Sequence, residues 1–482
     1  MKHLFAILLF ALSLSADNIY ISGVITESMV YDNVTVVMTG DVVVSSGVEI
    51  SFIGGAKLAS EGNYQFTVNG KLISTGSSEL YNKFFSSTGE WKGIRFEDCT
   101  ELSELKYTEI TNAEDGLTII SSPVLVENCH FNNNIKGISL NGLGNPVPPT
   151  VEIKSTLIEN CADNGIFIVE YSGALIQFCE IRYCAQSVNG KGAIQLSNQS
   201  ADGENNVTIK NCEIHHNNWQ GITAWDLTAS NKIYITIEQN EIYNNLTGLY
   251  LIDTDGYVYG NHIFNNFVSG NPNSGAGVMV NGSNASPIFS WNLIEGNFTG
   301  FYLVGSVTPN LGDLENYTTM DDGYNDIIYN IDESGNEWSI YNYSTSDIKA
   351  ENIWFGSTDP LHIASTIFDF NDDPSRGSVD FDPFRSESDV TENIATTTSI
   401  ISNYPNPFNP STEINYDLGK IIYNHAKMVI RNINGEKILE KTLSDKHGKF
   451  SFNGEKLSSG VYVLSISADG VIIQSRNMVL IK

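Results

Sequence analysis

The segments ENCHFNNNIKGISL (Glu127–Leu140), KNCEIHHNNWQGITA (Lys210–Ala224) and EQNEIYNNLTGLYL (Glu238–Leu251) are copies of one pattern: an apolar anchor, Asn three residues later, then Gly and an alternating strand. With anchors at Ile110, Phe131, Ile158, Ile181, Ile214, Ile242, Ile263 and Ile294, the spacings are 21, 27, 23, 33, 28, 21 and 31 residues. Such a period marks turns of a solenoid, in which each copy buries its apolar strip only by stacking on the next. Two residues before each anchor stand Thr108, Cys129, Thr156, Cys179, Cys212, Asn240, Asn261 and Asn292, on the anchor's own inward face by strand alternation. Three residues after it come Ala113, Asn134, Cys161, Cys184, Asn217, Asn245, Asn266 and Asn297. Each position should form a column through the stack, and Asn in a column can pass an amide hydrogen bond from coil to coil. That bond offsets the roughly 1–3 kcal/mol penalty of an unsatisfied buried polar group.

The columns also decide how the cysteines read. Cys129, Cys161, Cys179, Cys184 and Cys212 occupy inward positions, which makes them small buried fillers rather than disulfides or metal ligands. Cys179 and Cys184 are the pair a disulfide would use, although one precedes a turn and the other follows it. After the turn, Gly116, Gly137, Gly165, Gly221, Gly248 and Gly300 should permit the bend, and pairs such as Leu117/Ile119, Ile222/Ala224 and Phe301/Leu303 should face inward. Helical periodicity is absent, so the expected class is all-β, a parallel β-helix. The pattern resembles the right-handed parallel β-helix repeat of the pectate-lyase-like superfamily.

Working outward, the expected organisation is a signal peptide at 1–16 (MKHLFAILLFALSLSA), first coils at 17–109, repeats at 110–304, an irregular last coil and cap at 305–384, a linker at 385–401 and a C-terminal β-sandwich at 402–482. Later stretches fall short of the roughly 20 apolar residues that cross a bilayer, so no transmembrane span is expected. Lys plus Arg total 26 against 56 Asp plus Glu, which excludes generic nucleic-acid or anionic-membrane binding. The imbalance lies in one part: residues 402–482 hold ten basic and seven acidic residues, leaving 16 against 49, or −33, for residues 1–401.

Strands MVIRNI (Met428–Ile433), KFSFNG (Lys449–Gly454) and GVYVLSISADG (Gly460–Gly470), separated by turns, fit a small antiparallel β-sandwich. Here NYPNPFNPSTEINYDL (Asn403–Leu418), NGEKI (Asn434–Ile438), LSSGVYVLSI (Leu457–Ile466) and the terminal MVLIK (Met478–Lys482) resemble the type A sorting domain of the type IX secretion system. The position before Met478 is Asn477, where that domain commonly has a basic residue. The resemblance implies signal-peptide export, outer-membrane passage by the type IX machinery as partner, and release or attachment at the cell surface.

On the anchor strands, the flanking residues should point outward. The densest patch they form is Glu180, Arg182, Glu213, His215, Glu241 and Tyr243, on three adjacent coils. Carboxylates one or two coils apart suit the acid and base of a glycoside hydrolase, and Arg182 with His215 or Tyr243 suits β-elimination from a uronate. A solvated face that keeps the solenoid soluble accounts for the same residues. The second strand turns Phe167, Gln195, Thr223, Tyr250 and Tyr302 outward, with Trp225 two residues past Thr223; Phe167, Trp225, Tyr250 and Tyr302 are carbohydrate-stacking candidates. His215 and His216, as neighbours in a strand, should face opposite ways and so not share a metal. No cofactor is called for, with the one exception that Asp253 and Asp255 in DTDG suit calcium at a turn. No Gly-rich phosphate loop, nucleophile elbow or H-E-x-x-H stands in the chain. The sequence thus favours a non-enzymatic, exported surface protein that binds polysaccharide along its side, with a polysaccharide lyase or hydrolase as the alternative.

Overall fold

The structure is a computed structural model, and it describes residues 18–142, 150–186, 191–198, 205–228, 233–267, 275–388, 400–404, 408–418, 426–432, 437–443, 447–468 and 471–482. The expected signal peptide and most of the linker lie outside these residues. The chain divides into two compact units, Met1–Ser386 and Glu387–Lys482.

The first unit is a parallel solenoid. Each typical coil contributes three strands, as in Asn205–Lys210, Glu213–His215 and Gln220–Asp226. The first of these joins a ladder of 14 strands; the other two join a second sheet of 25 strands, so each interior coil is paired above and below. The middle strand is three residues long because a left-handed residue stands at each end: Asn211 at φ 53° before Glu213–His215 and His216 at φ 54° after it. The same two corners recur at Phe178 and Tyr183, at Gln239 and Asn244, and at Asn128 and Asn133. Asn tolerates this region better than most residues, which explains why it crowds the turns.

Inside, the anchors Ile110, Phe131, Ile158, Ile181, Ile214, Ile242, Ile263 and Ile294 have no exposed surface. Two Asn columns run beside them. Asn245 Nδ2 donates to Asn266 Oδ1 (3.1 Å), Asn266 to Asn297 (3.0 Å) and Asn297 to Asn330 (2.9 Å). In the other column Asn240 donates to Asn261 (3.0 Å), Asn261 to Asn292 (2.9 Å) and Asn292 to Asn325 (2.9 Å). Each amide also reaches a strand carbonyl, as Asn266 Nδ2 does at Ile242 (2.9 Å), so these buried groups are satisfied by the copy one coil away. All six cysteines are buried and free. Cys129 Sγ lies 3.3 Å from the Leu105 carbonyl, and burial pushes its thiol up to about 12.

Two expectations change. The glycines after the turn do not sit at positive φ; they are there because a Cβ at Gly221 would lie 2.8 Å from the Gly248 carbonyl oxygen, and one at Gly248 would lie 2.5 Å from that of Gly277. Nor is 305–384 an irregular cap. Asp326–Ile328 pairs with Leu293–Glu295, Ile340–Ser344 with Thr299–Gly305, and Ile348–Ala350 with Val379–Asp380, so the stack continues in register. Ile327 is its next anchor, with Asn325 and Asn330 in the two columns. The solenoid also retains Arg385, assigned above to the linker: it is buried and its Nη1 donates to Asp326 Oδ1 (3.0 Å).

The second unit has an antiparallel sheet of three strands (Ile400–Tyr404, Ser411–Asp417, His447–Asn453) and one of four (Ala426–Asn432, Lys437–Leu443, Gly460–Ala468, Val471–Leu480). Its core is Phe408, Ile414, Leu418, Met428, Ile430, Leu464, Ile466, Met478 and Leu480. Among the described residues no helix is long and apolar enough to cross a membrane.

Candidate functional site

The patch on the short strands is assembled by register. Glu180, Glu213 and Glu241 lie side by side on successive coils, and so do Arg182, His215 and Tyr243, followed by Phe264. Arg182 is held by two carboxylates: Nε and Nη2 meet Glu159 Oε2 (2.9 and 2.8 Å), and Nη1 meets Glu180 Oε1 (2.5 Å). Glu159, which the sequence reading did not single out, also receives His130 Nε2 at 3.0 Å. His215 is not on an open face. It is buried, its ring lies flat against Tyr243 (centroids 4.7 Å, 6° between planes), and Nε2 lies 3.3 Å from Glu180 Oε1. Its Nδ1 is 2.6 Å from His216 Nδ1, so the two rings meet instead of facing apart. The cause is the left-handed corner at His216, where strand alternation has already ended.

This packing separates the carboxyls electrostatically. The His215 hydrogen bond, aided by Arg182, holds Glu180 below the usual carboxylate range. Burial, and then the neighbouring charges of Glu241 and Glu180, push Glu213 up. Burial followed by the same three carboxylates pushes Tyr243 up to about 12. The two neighbouring carboxyls are therefore displaced in opposite directions, Glu180 down and Glu213 up.

The four stacking candidates fare differently. Rings in register on a parallel ladder cover one another's faces, as His215, Tyr243 and Phe264 do at 4.7 Å intervals. Tyr302 has Tyr341 at 5.6 Å, and Tyr341 has Phe368 at 4.4 Å. Tyr250 stands between Thr223 and Met279, its hydroxyl accepting from Asn281 Nδ2 (3.2 Å). Phe167 lies between Ser139 and Gln195, and Trp225 between Ser197 and Ile252. Among the described residues no ring packs on either, and Trp225 is 40% exposed. Thr223 departs from its expected outward setting: it is buried, a short side chain in a column between Gln195 and Tyr250.

At DTDG, Asp253 Oδ1 accepts the Ser283 and Asn284 amides (2.6 and 3.1 Å), and Asp255 Oδ1 accepts the Ser286 amide and hydroxyl (2.8 Å each). Both carboxylates thus cap the loop of the next coil. No cluster of three His, Cys, Asp or Glu suited to a metal occurs among the described residues.

Two clefts open on the flanks. One, of about 400 Å³, is lined by Tyr81, Lys83, Glu109, His130 and Leu157, with Lys83 and Glu109 paired at 2.8 Å. The other, of about 290 Å³, is lined by Arg95, Asp115, Thr118, Lys136, Ser139 and Phe167. Of these the sequence pointed only to Phe167, because the others come together through a register that alternation within one strand does not reveal.

Residues 136–314 match the family described as right handed beta helix region, and residues 402–480 match the secretion system C-terminal sorting domain. The chain thus carries a right-handed β-helix region and, at 402–480, a type IX sorting domain. It is exported, to the cell surface or beyond. A search of curated proteins gives no match. Solved structures similar to this β-helix protein include a mutant of the periplasmic alginate epimerase AlgG (14% identity, 72% of this chain and 76% of that one, TM-score 0.24) and the Dettilon tailspike protein (14%, 95% and 84%, 0.34). Another is tailspike gp49 of the Acinetobacter baumannii bacteriophage Fri1, a capsular polysaccharide depolymerase (10%, 90% and 73%, 0.35). Superpositions this loose transfer nothing about ligand or chemistry.

Proposed function

We propose that the solenoid is an extracellular glycan-binding surface, with a polysaccharide lying along the flank built from the second strand of each coil. The observation that carries this reading is the pair of outward rings, Phe167 and Trp225, that no other ring covers among the described residues. The CH face of a sugar packs on such a ring, whereas a ring already stacked in a ladder presents its edge. Export supports the reading, because the ligands outside the cell include surface and matrix polysaccharides. Screening the secreted protein on a polysaccharide array tests it. Binding that falls at least tenfold in Phe167→Ala and Trp225→Ala, with folding intact, is the expected result; binding indifferent to both changes sinks it.

A second reading, glycoside hydrolysis, is favoured by the opposite displacements of Glu213 and Glu180. Strands pair about 4.8 Å apart, close to the roughly 5 Å separation of the carboxyl pair in retaining enzymes. Glu213 would serve as acid and Glu180 as nucleophile. Release of reducing sugar that disappears in both Glu213→Gln and Glu180→Gln would establish it over simple binding.

A further inference from the structure

The strands Gly93–Glu97, Asp115–Ile120, Lys136–Asn141 and Ile166–Val169 lie side by side, and their in-register outward residues are Arg95, Thr118, Ser139 and Phe167. Two short side chains thus stand between two long ones. Three coil spacings put the Arg95 and Phe167 backbones roughly 14 Å apart. The space between is the 290 Å³ trough, at the small end of ligand pockets and suited to one sugar ring.

Its polar groups are arranged by one another. Asp115 Oδ2 accepts from Ser139 Oγ (2.9 Å) and Thr118 Oγ1 (3.3 Å), and Oδ1 accepts from Lys136 Nζ (3.3 Å). Glu97 receives Arg95 Nε and Nη2 at 3.1 Å each, which leaves Nη1 without a partner among the described residues. Lys136 Nζ stands 5.9 Å from the Phe167 ring centroid.

We infer that this trough is a subsite for an uncharged hexopyranose with vicinal hydroxyls, an inference that rests on the glycan-binding reading above. Asp115, with three of its roughly four acceptor positions used, can take one further hydroxyl, and Arg95 Nη1 can donate to its neighbour; hydrogen bonds to charged groups are the stronger kind. Phe167 supplies the apolar wall for the CH face of the ring. Charge settles the class of sugar. Arg95 and Lys136 are matched by Glu97 and Asp115, so a uronate carboxylate finds no unmatched cation here. It would also approach a stretch of chain, residues 1–401, that carries a formal −33.

The test is ligand-observed NMR titration of the full secreted protein with methyl glucoside, methyl galactoside and methyl mannoside, each against the corresponding uronate. At least one neutral glycoside should bind about tenfold tighter than its uronate, and Asp115→Asn and Arg95→Gln should each weaken it about tenfold, as expected for loss of one charged hydrogen bond. Tyr234→Ala, an exposed change on the 14-stranded sheet, should leave binding unchanged. Uronates binding as well as neutral sugars, or binding that survives both trough variants, overturns the inference. So does the absence of saturable binding by any of the probes. If the polysaccharide array still depends on Trp225 in that case, only the subsite fails and the glycan-binding reading stands.

Discussion

The two units of this chain solve the same problem, the burial of backbone-rich β-structure, with apolar cores that differ in one respect: the solenoid adds polar columns to its core. The solenoid has Asn217, Asn245, Asn266 and Asn297 inside it at 3% exposure or less, while the core of the sorting domain is apolar side chains such as Met428, Leu464 and Ile466. The difference follows from translation. In a solenoid a buried amide meets its own copy one coil away, with donor facing acceptor, so a polar column closes on itself. Two sheets packed face to face offer no such copy, and an amide between them would lack partners. The same translation lines up the outward residues, and the trough at Arg95 and Phe167 opens where the short residues Thr118 and Ser139 stand between them.

If the units are as independent as their interiors suggest, removing one should not disturb the other. Deleting Glu387–Lys482 should abolish appearance outside the outer membrane while leaving the melting midpoint of the solenoid unchanged, read by cell fractionation and calorimetry. A solenoid that loses stability on this truncation would mean the two interiors depend on each other. Next in size, Ile214→Asp places a charge at a fully buried anchor and should cost several kcal/mol, melting the solenoid transition but not that of the sorting domain. Smaller still is Asn266→Leu. It removes the acceptor of Asn245 and the donor to Ile242 and Asn297, for about 3 kcal/mol. Leu464→Met in the sandwich, a change of shape at similar volume, should cost under about 1.5 kcal/mol. Equal losses from the last two would mean that the Asn column contributes no more than packing.

The columns were legible in the sequence because a solenoid repeats its inward positions, and Asn at two fixed distances from an aliphatic anchor survives insertions elsewhere. The coil at Ile327 escaped notice because the segment 331–337 intervenes before the next strand, so no Gly follows at the usual distance. The outward sites were less legible for a physical reason. Exposure of an outward residue depends on the length of its neighbours above and below, which lie 20 to 35 residues away in sequence. Thr223 is buried and, among the described residues, Phe167 lacks a ring neighbour for that reason. His215 and His216 meet because a backbone corner ends alternation, and the Asn that marks this corner in other copies, such as Asn133 and Asn244, is replaced there by His216.

The smallest expected effect concerns the acidic column itself, where repetition works against stability. Glu213 lies between Glu180 and Glu241, and its folded-state pKa is raised, by burial first and then by those two charges. From the unfolded value near 4.5 up to that raised value, the folded state holds a proton the unfolded chain has lost, so stability falls as pH rises through the window. At pH 7 the carboxylate is therefore a burden, and Glu213→Gln should raise the midpoint by about a degree or two, with the gain vanishing near pH 4. Glu180 has the opposite sign. Its pKa is lowered by the His215 hydrogen bond, so it stabilises above the unfolded value and that contribution is lost as pH falls through the folded one. Glu180→Gln should lower the midpoint at pH 7 and lose its effect in acid. A neutral-pH midpoint that falls in Glu213→Gln would mean that this carboxylate is held by a favourable partner. It would also remove the separation of the two carboxyls on which the hydrolytic reading depends.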